Sequence, residues 1–307
     1  MKWVSGPRAT AGEPLLPAMM RALRPHQWAK NALLLLPLLL AHRVADVEHI
    51  GRVLVAIMTF CGVASGTYLL NDVMDVDADR RHPRKRSRPF AAGALPLALG
   101  FVLGPPLIAA SLLASGMLLP AACTAMLLGY ALMTSAYTFY FKEMLLLDVM
   151  VLAGLYTHRI LAGGVAAEVD VSPWLLAFSA FFFLSMALVK RFVEISDAVR
   201  EDRVLGNRRA YRVEDGPFIG AMGIASGFIS VLVLCLFVSS SSESSALYSR
   251  PAILWALCPI MFYWIARVWL LARRGELHDD PVIFATTDPI SWVSAALMGL
   301  TIAGAAW

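Results

Sequence analysis

The chain has 307 residues, 59% of them hydrophobic and 16% charged, with a mean hydropathy of +0.67 and a net charge of +4. That balance excludes an ordinary soluble domain, and apolar runs near the ~20 residues needed to cross a bilayer recur along the chain. The positive excess follows membrane topology and gives no ground for nucleic-acid binding.

Residues 1–24 read as an N-terminal cytoplasmic leader with Lys2, Arg8, Arg21 and Arg24, ahead of one membrane domain at 25–307. No secretory signal is expected, because the first apolar run begins only near Ala32 and no small-residue cleavage pattern is evident. The fold class is all-α and polytopic. Nine membrane helices are predicted, at about 27–43, 50–72, 96–118, 120–141, 144–165, 173–190, 217–239, 251–272 and 286–307. Pro37 falls inside the first, and Gly104-Pro105-Pro106 is expected to interrupt the third. A polar stretch fills 190–216, and His-Asp-Asp-Pro at 278–281 precedes the last helix. Cys61, Cys123, Cys235 and Cys258 all lie in apolar segments without ligand-like pairing and read as core or lipid-facing residues.

Lysine and arginine alternate between the loops. The leader with Lys30 carries five, the loop after the second helix six and the loop after the sixth seven, whereas the opposite side has only Arg43, Arg52 and Arg250. The N-terminus and the polar loops are therefore expected in the cytoplasm and the C-terminus outside.

The second helix delivers an unusual stretch, 71–93. Asp72, Asp75, Asp77 and Asp79 are followed by six basic residues from Arg80 to Arg88. If the helix continues, Asn71, Asp75 and Asp79 stand at i, i+4 and i+8 with Asp72 beside them, while Asp77 points elsewhere. Stacked carboxylates repel one another unless a cation lies between them. Hard oxygen ligands suit Mg²⁺, which completes its shell with water and substrate phosphates. Asn71, Asp72, Asp75 and Asp79 are the candidate metal ligands of a diphosphate site at the membrane surface. The competing reading is a solvated loop with topogenic arginines, which a charge run alone would favour and the ordered aspartate spacing does not.

Charges inside membrane helices default to functional hypotheses. Asp148 and Arg159 share a face of the fifth helix, but about 16 Å of rise separates them, too far for a direct pair. Arg159 either serves a ligand anion or another helix's carboxylate, or snorkels outward near the helix end. Beyond the sixth helix, Lys190, Arg191, Glu194 and Asp197 stand at helical spacings, which allows ordinary ion pairs or a second wall of an anion site.

These residues resemble the UbiA superfamily of intramembrane prenyltransferases over nearly the whole chain. The carriers are Asn71, Asp72, Asp75 and Asp79 in N-D-x-x-D-x-x-x-D, with Arg88, Pro89 and Gly93 in R-P-x-x-x-G. The resemblance implies nine helices around a central cavity. Prenyl-transferring members carry a second D-x-x-x-D where this chain reads K-R-F-V-E-I-S-D. That departure, with R-P-H-Q-W-A-K-N at 24–31, looks like the branch typified by decaprenyl-phosphate phosphoribosyltransferases. Such enzymes move phosphoribose from 5-phosphoribosyl diphosphate to a polyprenyl phosphate. The resemblance thus implies Mg²⁺, those two substrates and a bacterial inner-membrane enzyme whose site faces the cytoplasm. It assigns Asp72, Asp75 and Asp79 to catalysis through the metal, and Lys190, Arg191 and Glu194 to the sugar-phosphate end. Lys30, Arg88, Tyr156 and Arg159 are further candidates for diphosphate or ribose contacts. The alternative is prenyl transfer from a polyprenyl diphosphate to a small acceptor. Small-residue faces such as 220–227 permit close packing within the chain or in a homo-oligomer.

Overall fold

The computed structural model describes residues 14–43, 45–81, 85–200, 210–240, 247–277 and 281–306. Most of the leader, Arg84 of the basic run, Arg203, Arg208, Arg209 and the His278-Asp279-Asp280 part of the expected polar loop lie outside the described residues. Among the described residues there is no strand, and eight helices are long and apolar enough to cross a membrane. Two compact units divide the chain: Met1–Thr138 with Ala162–Glu168, and Phe139–Leu161 with Val169–Trp307.

The first unit opens with α1 (Leu15–Ala22), which buries Ala18 and Ala22 and exposes Leu15 and Leu16. The expected first membrane helix takes a different form. Pro25–Leu35 is a 3₁₀ segment, followed by the short α2 (Leu36–Leu40). Pro37 explains part of this, because it lacks an amide hydrogen and its ring opposes the carbonyl one turn earlier, so an α-helix does not run through it freely. A 3₁₀ turn rises ~2.0 Å per residue, and the whole segment is therefore about 30 Å long, the thickness of a bilayer's hydrocarbon core. It has the length of a crossing without the α form.

Next comes α3 (Val47–Met74), capped by Asp46, whose side chain accepts the Glu48 and His49 amides. It hands over to α4 (Val76–Arg81), and α5 (Leu97–Leu118) and α6 (Ala121–Phe139) follow. The expected interruption at Gly104-Pro105-Pro106 does not occur, and both prolines lie inside α5. Close packing on α3 carries the helix through. A Cβ on Gly66 would lie 2.7 Å from the Gly104 carbonyl oxygen, and one on Gly104 would lie 2.9 Å from Leu70. Small residues let the backbones approach and hold the weakened turns in place.

In the second unit, α7 (Leu147–Ala167) contributes all but its last residues, and α8 (Pro173–Arg200) runs ten residues past the expected end at 190. The polar residues 190–197 are therefore helical. Then come α9 (Gly216–Ser239), α10 (Leu257–Arg274), α11 (Pro281–Thr287) and α12 (Pro289–Ala306). Ser185 of α8 ties three helices together by donating to the Gly223 carbonyl at 2.7 Å and accepting from Trp269 Nε1 at 3.0 Å. Asp288 starts α12 by accepting from the Ser291 amide and hydroxyl, and Arg267 grips it with bonds of 2.7 and 2.9 Å. Those bonds hold its carboxyl below the ordinary range although burial pushes it up.

Candidate functional site

The acidic motif sits where α3 gives way to α4. Asp75 closes α3 at φ −92°, ψ 8°, yet the backbone bonds run on: the Asp75 amide donates to Asn71 O at 2.9 Å and the Asp79 amide to Asp75 O at 2.8 Å. The i→i+4 backbone bonding that the sequence reading assumes thus runs across the junction. Asp72 and Asp79 are buried, 2% and 3% exposed, whereas the Asp77 side chain is 84% exposed and lies beside Arg80. Asn71 is fixed by donating one of its two amide hydrogens to Thr138 Oγ1 at 3.1 Å, which leaves its side-chain carbonyl oxygen as an acceptor.

Two arginines meet these carboxylates. Arg88 Nη1 donates to Asp79 Oδ2 at 2.6 Å and to Asp72 Oδ1 at 3.2 Å. Its place follows from R-P-x-x-x-G: the Arg88 amide donates to Lys85 O, the Ala92 amide to Arg88 O, and Gly93 takes φ +75°, which favours glycine. Phe90 anchors that turn among Ala18, Ala22, Leu69, Val73 and Leu95. The second cation is Arg24, whose Nη2 donates to the same Asp72 Oδ1. Burial pushes the Asp79 carboxyl up, and Arg88 opposes that shift.

Asp72 Oδ2 is buried and has no hydrogen-bond partner. A buried carboxylate oxygen without a donor is costly, and a divalent cation would satisfy it. Among the described residues no three acidic, histidine or cysteine side chains converge at metal-ligand spacing, since Arg88 stands between Asp72 and Asp79. The donor chemistry fits Mg²⁺, with the arginines as the groups that share the carboxylates.

The second unit holds another charged cluster. Arg191, 1% exposed, places Nη2 2.5 Å from Asp148 Oδ2 and donates from Nη1 to Glu194 Oε2. Tyr211 donates to Asp148 Oδ1 at 2.6 Å, accepts the Leu146 amide at 3.1 Å and lies under the Arg191 guanidinium, 5.2 Å from ring centre to Cζ. The Leu146 amide belongs to a residue at φ +63°, so the tyrosine steadies a strained turn before α7. Burial and then the Asp148 hydrogen bond raise the Tyr211 phenol above its ordinary value. Arg191 is thus a buried ion-pair centre. Arg159 points inward, donating to Leu155 O at 2.8 Å with its guanidinium 5.5 Å from the Tyr156 ring, which stacks on Phe183. Lys190 and Glu194 are half-buried on α8, and Lys30 is half-buried in the 3₁₀ segment.

The candidates therefore divide. Lys30, Asn71, Asp72, Asp75, Asp79 and Arg88 belong to the first unit, and Tyr156, Arg159, Lys190, Arg191 and Glu194 to the second. Sequence reasoning passed over Arg24, Thr138, Asp148 as the Arg191 partner, and Tyr211. Only Arg24 had a local signal, as the first residue of R-P-H-Q-W-A-K-N.

A family model described as the UbiA prenyltransferase family matches residues 33–287. The nodulation protein NoeC of Azorhizobium caulinodans is 36% identical over 288 residues, covering 92% of this chain and 90% of NoeC. The uncharacterized protein y4nM of Sinorhizobium fredii is 37% identical over 278 residues, 90% of this chain, and the chain spans about half of that relative's length (53%). The decaprenyl-phosphate phosphoribosyltransferase of Corynebacterium glutamicum is 40% identical over 184 residues, 59% of this chain and 55% of that protein. The solved structure of a UbiA homolog from Archaeoglobus fulgidus bound to GPP and Mg²⁺ superposes with a TM-score of 0.69 at 15% identity, covering 93% of this chain and 99% of that one.

Proposed function

This chain belongs to the UbiA prenyltransferase family and is an integral membrane transferase, and within that family we propose that it moves 5-phosphoribose from 5-phosphoribosyl diphosphate to a polyprenyl phosphate, releasing pyrophosphate. The stretch 190–197 carries the proposal. It opens with Lys190-Arg191, where the family resemblance leads one to expect a second aspartate motif. A prenyl diphosphate has one anionic end; phosphoribosyl diphosphate has two, so a cation in that place suits the second. The 40% identity to a decaprenyl-phosphate phosphoribosyltransferase supports the same direction.

Asp72, Asp75 and Asp79, with Asn71, would hold Mg²⁺ on the donor's diphosphate. The ion would supply charge stabilisation for the departing pyrophosphate. Arg88 keeps Asp72 and Asp79 in register. The bond from C1 to the pyrophosphate oxygen breaks as one forms from C1 to an oxygen of the lipid phosphate. That nucleophile is anionic at neutral pH, so no side chain is needed to take a proton. Lys190 is the proposed contact for the 5-phosphate, and Lys30, Tyr156 and Arg159 remain candidates for the ribose or diphosphate. Arg191 is assigned a positioning role through Glu194, because both of its terminal nitrogens are engaged. On this reading the acidic motif faces the cytoplasm across a bacterial inner membrane, an orientation that the lysine and arginine pattern supports.

Prenyl transfer to a small acceptor is the second reading. The family's description and the acidic pair Glu194 and Asp197 favour it. Offering purified protein labelled phosphoribosyl diphosphate and labelled prenyl diphosphate side by side separates the two. Turnover of the first alone is expected, and turnover of the second alone would reverse the order. Asp75→Asn is expected to abolish turnover of either donor without loss of fold.

A further inference from the structure

We propose that Arg24 contacts the donor and exchanges partners as it does so, resting on Asp72 in the donor-free protein and on the donor's diphosphate in the complex.

Charge gives the first reason. Arg88 by itself bridges Asp72 and Asp79, so Arg24 adds a second guanidinium to an oxygen that already has one. Without a ligand this merely crowds Asp72 Oδ1. With a divalent cation present, two arginines and the ion outnumber the positive charge that Asp72, Asp75 and Asp79 can balance. The surplus favours an arriving diphosphate, and the guanidinium fork suits phosphate oxygens. Arg24 is also the more exposed partner of the pair, 18% against 2% for Asp72.

The backbone gives the second reason. Arg24 adopts φ 54°, ψ 56°, a left-handed conformation that a non-glycine residue holds only when its surroundings impose it. Both flanks impose it here. On one side α1 buries Ala18 and Ala22 against Leu69 and Val73 of α3. On the other, Trp28 Nε1 donates to Ser65 Oγ at 3.0 Å, and that hydroxyl donates to Leu23 O at 2.9 Å. The residue is clamped so that its side chain is delivered to α3.

The third reason is the floor under the side chain. The guanidinium lies 4.9 Å from the centre of the Tyr68 ring. Tyr68 and Asp72 are one turn apart on the same face of α3. A cation that leaves Asp72 therefore keeps an aromatic surface beneath it.

This exchange rests on the acidic motif being a diphosphate site, and titration calorimetry of the full chain in detergent tests the two separately. Mg²⁺ is titrated alone, then inorganic pyrophosphate at saturating Mg²⁺. Arg24→Gln is expected to weaken pyrophosphate binding about tenfold or more, while Mg²⁺ alone binds as tightly as before or more tightly, because a competing cation has been removed. Arg24→Lys, which keeps the charge without the fork, is expected to fall between and serves if the glutamine variant does not fold. Unchanged pyrophosphate affinity would overturn the exchange. So would parallel weakening of both ligands, which is what loss of the α1 clamp alone would give. Absence of Mg²⁺-dependent pyrophosphate binding in the wild type would overturn the diphosphate site itself, and the exchange with it.

Discussion

Arg191 and Asp148 show how a residue can be placed by its sequence while its long-range partner is not. Lys190, Arg191 and Glu194 were recognised as a charged helical group, but the partner of Arg191 is forty-three positions away and has no local signature. Both members of the pair are about 1% exposed, so removing one leaves the other charged in an apolar interior. Arg191→Met is expected to lower stability by roughly 3–5 kcal/mol, and pairing it with Asp148→Leu is expected to recover much of that loss. Thermal unfolding in detergent of the single and double variants measures the difference; equal losses in both would show that the ion pair is not what matters. Tyr211 adds a pH dependence. Its phenol titrates above its unfolded value near 10, so the folded state holds the proton more tightly. That contribution is complete below pH 10 and is lost as pH rises through the higher folded value. Tyr211→Phe is expected to flatten stability above pH 10 relative to wild type, with an overall cost of about 1–3 kcal/mol from the buried groups it abandons. The aspartates of the acidic motif were legible because side chains four apart share a helical face whatever the tertiary structure. Arg24, forty-eight positions from Asp72, was not.

At the level of elements, hydrophobic length located eight of the nine predicted segments as helices. The ninth, 27–43, was expected as a membrane helix like the others and is instead mostly 3₁₀, since composition does not distinguish an α-helix from a 3₁₀ run. Tertiary contact made the difference. Gly163 of α7 has no Cβ, and one built there would lie 2.2 Å from the Leu34 carbonyl oxygen. The backbone of the 3₁₀ segment occupies that space. Gly163→Ala must move backbone rather than a flexible side chain, and is expected to destabilise by about 1–3 kcal/mol. Gly116 of α5 has nothing within 4 Å of a built Cβ, so Gly116→Ala is expected to be neutral or to stabilise by up to ~1 kcal/mol. Comparable melting shifts in the two would contradict the close approach. The same reasoning explains the uninterrupted α5: proline propensity argued for a break, and packing against Gly66 overrode it.

For the whole molecule, hydropathy established membrane insertion and the arrangement of lysine and arginine supplied an orientation. The two ends of α3 offer a check, because Glu48 in its first turn and Asp77 just beyond its last residue have side chains 70% and 84% exposed. In intact spheroplasts a membrane-impermeant maleimide is expected to label Glu48→Cys, and to label Asp77→Cys only after permeabilisation. The reverse pattern would put the acidic motif outside. The proposed reaction rests on motif identity. Asn71, Asp72, Asp75 and Asp79 indicate metal and diphosphate chemistry on physical grounds, but nothing in their geometry distinguishes a ribosyl donor from a prenyl one.

The deciding measurement is therefore transfer of ribose label. Purified protein in detergent receives phosphoribosyl diphosphate labelled in the ribose, a polyprenyl phosphate and Mg²⁺, and the organic phase is counted alongside pyrophosphate release. Label entering the lipid phase in step with pyrophosphate, only when both substrates and the metal are present, is the expected result. Failure to transfer ribose to any chain length, while a prenyl diphosphate is consumed with a small acceptor, would contradict phosphoribosyl transfer and identify a prenyltransferase built on the same acidic motif.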